Sequence, residues 1–240
     1  MQQSKLTFIH GFMGHPSDWD DVRAALPEYE TSAVAIRPAS DWPSSLKQLS
    51  ENATADSILV GYSMGARLAL GLVMENSQRY KGLVFISGNP GLESDKEREQ
   101  RAEFDEQIAT RIEAGDLRAF LEQWYQSRVF ASLPSEIRRV EIERKLTRSA
   151  SEWPAILRAN SVSGQSNYWP RLNELAIPTL VIAGESDEKY RDIAVRFSNE
   201  ASQLTVKAKV LSDCGHMVHR ECAVELAQLI REFVESNPHA

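Results

Sequence analysis

Several features are scarce or missing in this 240-residue chain, and each absence narrows its function. There are only two cysteines, Cys214 and Cys222, too few for a disulfide framework, and two reduced thiols fit a cytoplasmic setting. No stretch approaches the roughly 20 apolar residues that a membrane span requires. Met1-Gln2-Gln3-Ser4-Lys5 runs straight into the strand-like Leu6-Thr7-Phe8-Ile9, which leaves no room for a signal peptide. Cationic excess is also lacking: the formal net charge of −7 argues against a nucleic-acid or anionic-membrane partner. The chain carries no glycine-rich phosphate loop and no plausible metal-ligand cluster, so neither cofactor nor metal is expected. With 42% hydrophobic and 25% charged residues, the remainder reads as one ordinary globular domain with a substantial core.

The most informative stretch that is present is Gly61-Tyr62-Ser63-Met64-Gly65. It follows the apolar run Ile58-Leu59-Val60 and opens a helix-like run from Ala66 to Met74. Strand, Gly-x-Ser-x-Gly, helix is the context of a nucleophile elbow, in which a tight turn lifts the serine hydroxyl above the sheet edge. Met64 N–H then lies at a helix N-terminus, suited to holding an oxyanion. The partners of such a serine follow in the order acid, then histidine, each in a loop after a strand. Gly184-Glu185-Ser186-Asp187 follows the strand-like Pro178–Ala183, and Ser212-Asp213-Cys214-Gly215-His216 follows Val206–Leu211. Ser63, Asp187 and His216 therefore form the candidate triad. Glu185 and Asp213 are rival acids and His219 a rival histidine. Asp187 is favoured by its place a few residues into the loop, and His216 by following Gly215 directly after the strand.

Apolar strands alternate with amphipathic helices, which predicts a mostly parallel α/β sheet. Strands are expected at Leu6–His10, Ser32–Ile36, Ser57–Gly61, Gly82–Ser87, Pro178–Ala183 and Lys207–Leu211. The last helix, around Cys222 to Val234, carries Leu226, Leu229, Ile230 and Phe233 at helical spacing. Between Gly88 and about Arg171 the alternation stops and charged helical segments take over. This predicts an α/β core of residues 1–88 and 172–240, with a helical lid at 89–171 inserted after the fourth strand. A lid there would cover the strand C-termini, where ligands bind in such sheets.

Two arginines hint at the ligand. Phe104, Ile108 and Ile112 form an i, i+4, i+8 stripe that Arg101 extends inward, where an unpaired charge is costly. Arg67 lies one turn after Ser63. Each needs an anionic partner, either a protein carboxylate or a ligand, and two near one pocket favour an acidic substrate. In the lid, Leu117, Phe120, Leu121 and Trp124 share one helical face. Trp124 and Tyr125 at its end offer both aromatic surface and hydrogen-bond donors.

Across nearly the whole chain these residues resemble the 2-succinyl-6-hydroxy-2,4-cyclohexadiene-1-carboxylate synthases, α/β-hydrolase-fold lyases of menaquinone and phylloquinone biosynthesis. The resemblance rests on His10-Gly11-Phe12-Met13-Gly14, Gly61 through Arg67, and Gly88-Asn89-Pro90-Gly91-Leu92. It extends through Trp124-Tyr125-Gln126, Val129-Phe130-Ala131-Ser132-Leu133, Gly164-Gln165, Gly184 to Asp187, and Gly215 to Glu221. The lid motif and the elbow arginine are its most specific parts.

The resemblance implies elimination of pyruvate from 2-succinyl-5-enolpyruvyl-6-hydroxy-3-cyclohexene-1-carboxylate. Ser63, activated by His216 and Asp187, would abstract a ring proton, and the N–H groups of Phe12 and Met64 would hold the oxyanion. It further implies a small, multiply carboxylated substrate contacted by Tyr62, Arg67, Arg101, Trp124 and Gln165. Where the family has a third substrate arginine, a gapless match places Lys145, with Arg144 adjacent and Arg148 one turn on. Lysine would neutralise a carboxylate but lose the bidentate geometry. The alternative on the same triad is a serine hydrolase, an esterase or carbon–carbon bond hydrolase. A non-catalytic relative is disfavoured by the complete, ordered triad.

Overall fold

The computed structural model describes residues 4–201 and 206–237; the N-terminal Met1-Gln2-Gln3 lies outside the described residues. Six strands form one sheet: β1 (Lys5–Ile9), β2 (Glu30–Val34), β3 (Ser57–Tyr62), β4 (Gly82–Ile86), β5 (Thr179–Gly184) and β6 (Val206–Leu211). Every pairing is parallel, in the order β2-β1-β3-β4-β5-β6. All six residues of both β3 and β5 are buried, which matches their continuous apolar sequence. β6 is an edge, with Lys207 and Lys209 exposed, and such charges discourage pairing with another chain.

The helices follow in chain order. Before the elbow come α1 (Asp20–Ala24) and α2 (Trp42–Asn52), and after it α3 (Met64–Glu75). Between β4 and β5 lie α4 (Asp95–Glu113), α5 (Leu117–Trp124), α6 (Ser135–Leu146) and α7 (Trp153–Ala159). The chain closes with α8 (Glu188–Glu200), the short α9 (Val218–Glu221) and α10 (Ala223–Glu235). None of the described helices is long and apolar enough to cross a membrane. The chain moves outward from β1 to β2, then crosses back to β3, so the topological switch lies between β1 and β3. Ligands of open α/β sheets bind beyond the strand ends at such a point.

The predicted strands agree with the observed ones to within two residues. The largest slip is β2, expected at Ser32–Ile36 and found at Glu30–Val34. Ile36 is buried like a strand residue, but its N–H donates to His10 Nε2 at 3.1 Å instead of joining the ladder. The helical segment begins and ends at one place. Tyr168 N–H donates to the Pro90 carbonyl at 2.9 Å and Trp169 Nε1 to the Gly91 carbonyl at 3.1 Å. In α4 the inward face is Asp105, Ile108, Ala109 and Ile112, held below a capping box of Ser94 and Glu97. Phe104, expected on that face, is 53% exposed, because it precedes Asp105 by about 100° of helical rotation.

Candidate active site

The β1 and β3 ends meet at a cavity of about 1160 Å³ roofed by the α4–α6 segment. Ser63 stands at its base with φ 53° and ψ −110°, a left-handed conformation that a residue with a side chain adopts only under constraint. The constraint is close packing. A Cβ on Gly61 would run into the Gly65 carbonyl, and one on Gly65 into the carbonyls of Ile9 and His10. The two glycines let α3 start directly against β1, and the serine between them takes the strained turn. Met64 opens α3, so its N–H has no intrahelical acceptor.

Opposite lies the loop Gly11–Gly14, closed by Gly14 N–H on the Gly11 carbonyl at 3.0 Å, with Met13 at φ 56°. Two side chains hold its carbonyls. His10 Nδ1 donates to the Gly11 carbonyl at 2.8 Å, and Lys145 Nζ to the Met13 carbonyl at 3.1 Å. Burial lowers the His10 pKa to about 4, so the ring is neutral, with Nε2 free to accept from Ile36.

His216 Nδ1 lies 2.6 Å from Asp187 Oδ2, and both side chains are buried. A carboxylate only accepts, so Nδ1 donates in this bond and Nε2 is the nitrogen left for another partner. The His216 ring is boxed by Tyr190 at 4.7 Å, Tyr62 at 5.4 Å and Phe130 at 5.8 Å. Glu221 grips the backbone on both sides of it, accepting from Gly215 N–H at 2.9 Å and Met217 N–H at 2.8 Å. The rivals do not share this arrangement. Glu185 accepts from Asp213 N–H at 3.3 Å, both are exposed, and neither lines the cavity. His219 lines the cavity but packs against Tyr62 and Trp19 and makes no pair with Asp187.

Arg67 is buried at the cavity wall with no carboxylate within ion-pair distance among the described residues. Its Nη1 donates to Gln165 Oε1 at 2.8 Å, its Nη2 to the Asn160 carbonyl at 2.7 Å, and its guanidinium lies 5.7 Å from the Trp42 ring. Burial, with the nearby Arg101 charge, lowers its pKa to about 10. Gln165 does not line the cavity; it stands behind Arg67 and is fixed by donating to the Asn89 carbonyl.

Arg101 reaches the cavity, but the partner it required is a protein carboxylate. Its Nε donates to buried Asp105 Oδ2 at 2.8 Å, which also accepts from the Ser161 hydroxyl at 2.7 Å. That occupies one edge of the guanidinium. Trp124 lines the opposite wall among Phe12, Phe120 and Phe130. Lys145 is also at the wall, 3.7 Å from Glu141, and burial lowers its pKa against the pull of Asp18 and Glu141. Arg144 and Arg148 instead bind Asp18, at 3.4 and 2.8 Å. Burial would raise the Asp18 pKa, but Lys145 and Arg148 hold it well below the usual carboxylate range. Asp18, His10, Asp105, Tyr190 and Glu221 were not singled out from sequence. Only Asp105 had a local signal there, its i+4 spacing from Arg101.

Among the described residues no group of three His, Cys, Asp or Glu side chains is placed to hold a metal ion. Residues 8–229 match the alpha/beta hydrolase family. The chain is 31% identical to the 2-succinyl-6-hydroxy-2,4-cyclohexadiene-1-carboxylate synthase of Enterobacter sp. (strain 638), covering 97% of this chain and 94% of that one. It is 30% identical to the synthase of the same name from Escherichia coli (strain SMS-3-5 / SECEC), over 94% and 93% of the two chains. Among solved structures, MenH from S. aureus superposes with a TM-score of 0.90 at 24% identity, covering 99% of this chain and 96% of that one. A thermophilic esterase from Thermogutta terrifontis superposes at 0.75 with 18% identity, over 100% and 92%. These two structural likenesses speak to the fold.

Proposed function

The chain belongs to the 2-succinyl-6-hydroxy-2,4-cyclohexadiene-1-carboxylate synthase family of alpha/beta hydrolases, and from that premise we propose that it is a pyruvate-eliminating lyase of menaquinone or phylloquinone biosynthesis. Its substrate is 2-succinyl-5-enolpyruvyl-6-hydroxy-3-cyclohexene-1-carboxylate. His216 takes the Ser63 proton at Nε2, and Asp187 holds the tautomer that makes this possible. Ser63 oxygen then accepts a ring proton. The C–H electrons form the new ring double bond, and the ring C–O bond breaks. The departing enolate is protonated on carbon to pyruvate by the proton that His216 took, which returns Ser63 and His216 to their starting states. Phe12 and Met64 N–H groups hold the negative charge that develops as the proton leaves.

One observation carries this reading: a buried guanidinium, Arg67, one turn from Ser63 in the same cavity and without a carboxylate partner among the described residues. A buried charge satisfied only by an amide and a carbonyl is suited to an anionic ligand. Arg101 and Lys145 supply further positive charge, Tyr62 and Trp124 supply contact surface, and Gln165 acts by orienting Arg67. The α4–α7 segment serves as the lid that keeps water from the reacting centre.

The test is pyruvate release from freshly generated enolpyruvyl substrate, with parent protein, Ser63→Ala and a no-enzyme control. Acceleration by the parent alone, with the cyclohexadiene product accumulating, is expected. No acceleration by the parent would overturn the reading and send the chain to an ester panel.

A further inference from the structure

The reaction proposed above leaves His219 without a role, although it is 3% exposed and lines the cavity. Its ring lies 4.3 Å from Tyr62 and 5.0 Å from Trp19, centroid to centroid. Nδ1 is buried with no hydrogen-bond partner among the described residues. Polar side chains so deeply buried ordinarily have their hydrogen bonds satisfied. A stranded N–H is rarer in a protein interior than an under-used acceptor. Nδ1 therefore bears the lone pair, and Nε2 carries the hydrogen and is the nitrogen left to meet the cavity.

The surroundings keep the ring uncharged. Burial, aided by Arg220, Lys145 and His216 and opposed by Asp18, holds its pKa down to about 3. A neutral imidazole donates a hydrogen bond without surrendering its proton. Of the charged groups near it, Asp18 is engaged by Arg144 and Arg148, and Lys145 stands beside Asp18 at the same wall. An anionic oxygen there would meet one ammonium and one neutral donor.

We propose that His219 contacts the substrate, donating its Nε2–H to a carboxylate or enolate oxygen on the Lys145 side of the cavity. The proposal rests on the polycarboxylate reading of the site. It assigns a second histidine a task different from that of His216: His216 moves a proton, while His219 keeps its own and reads an oxygen.

Two variants and one spectrum test it. His219→Phe keeps an aromatic ring against Tyr62 and Trp19 but removes the donor; His219→Gln restores an N–H. Pyruvate release should show kcat/KM about 10-fold lower or worse in the Phe variant, as expected for losing a hydrogen bond to a charged oxygen, and largely recovered in the Gln variant. A parent that turns over and a Phe variant that equals it would overturn the His219 proposal alone. A parent that releases no pyruvate would overturn the lyase reading, and this proposal with it. Should the Phe variant fold poorly, ¹⁵N-histidine spectra of the parent decide. An Nε2–H tautomer whose Nε2 resonance moves on adding the cyclohexadiene product supports the contact. An Nδ1–H tautomer, or an unmoved resonance, refutes it.

Discussion

Replacing Arg67 by methionine should separate stability from activity. This guanidinium is buried over Trp42 and, among the described residues, donates to Gln165 Oε1 and the Asn160 carbonyl. Burial drags its pKa from the ordinary guanidinium value down to about 10, so holding the charge there costs about 3 kcal/mol. Arg67→Met relieves that cost but strands two acceptors, each worth about 1–3 kcal/mol when left unpaired in the interior. The two contributions largely offset, so unfolding free energy should change by no more than about 3 kcal/mol. Activity has no such compensation. A charge-assisted hydrogen bond to a substrate carboxylate contributes about 1.5–3 kcal/mol, so kcat/KM for pyruvate release should fall roughly 10- to 150-fold. Urea unfolding and steady-state kinetics on one preparation read both quantities. Parent-like kcat/KM would refute the anion-site argument. A loss of stability above about 4 kcal/mol would refute the account of Arg67 as a costly buried charge.

The other expectations concern the triad and acid stability. Asp187→Asn should leave the fold intact and lower kcat about 10⁴-fold, because an amide favours the wrong His216 tautomer; pyruvate-release kinetics showing a loss under tenfold would sink the role given to Asp187. Acid should weaken the protein through His10. Its unfolded pKa is near 6.5 and its folded value about 4, so between these values the unfolded chain binds a proton that the folded chain refuses, and stability falls as pH falls. His10→Asn should flatten the slope of unfolding free energy between pH 6.5 and 4.5 by up to ~1.36 kcal/mol per pH unit; an unchanged slope would show that His10 is not the group responsible.

Much of this architecture was legible because it is written in local pattern. β3 and β5 are continuous apolar runs, and the elbow glycines flank their serine in a five-residue window. Asp187 and His216 each follow a strand by only a few residues, and the structure pairs them. One miss is local: Arg101 calls for a protein carboxylate or a ligand, and the stripe drawn through Phe104 passes over Asp105, four residues on, which faces inward and takes that part. The rest depends on contacts across the chain. Nothing near Ile36 announces that His10 will take its N–H, so β2 was placed two residues late. Lys145 was matched to a substrate contact by resemblance alone, and its bond to the Met13 carbonyl spans 132 positions.

That bond joins two parts of the molecule usually treated as separable. The ammonium comes from α6, in the segment between β4 and β5, while the carbonyl belongs to the Gly11–Gly14 turn that lines the cavity beside Ser63. Lifting α6 away from the sheet would release Met13 and slacken that turn, so on the proposed reading, in which the segment is a lid and the Phe12 amide holds charge, opening the one and disarming the other become one event. A chimera that exchanged the inserted helices to change substrate range would inherit this linkage. Unless the replacement brought a cation to the same spot, it would alter the reaction centre while apparently changing only its cover.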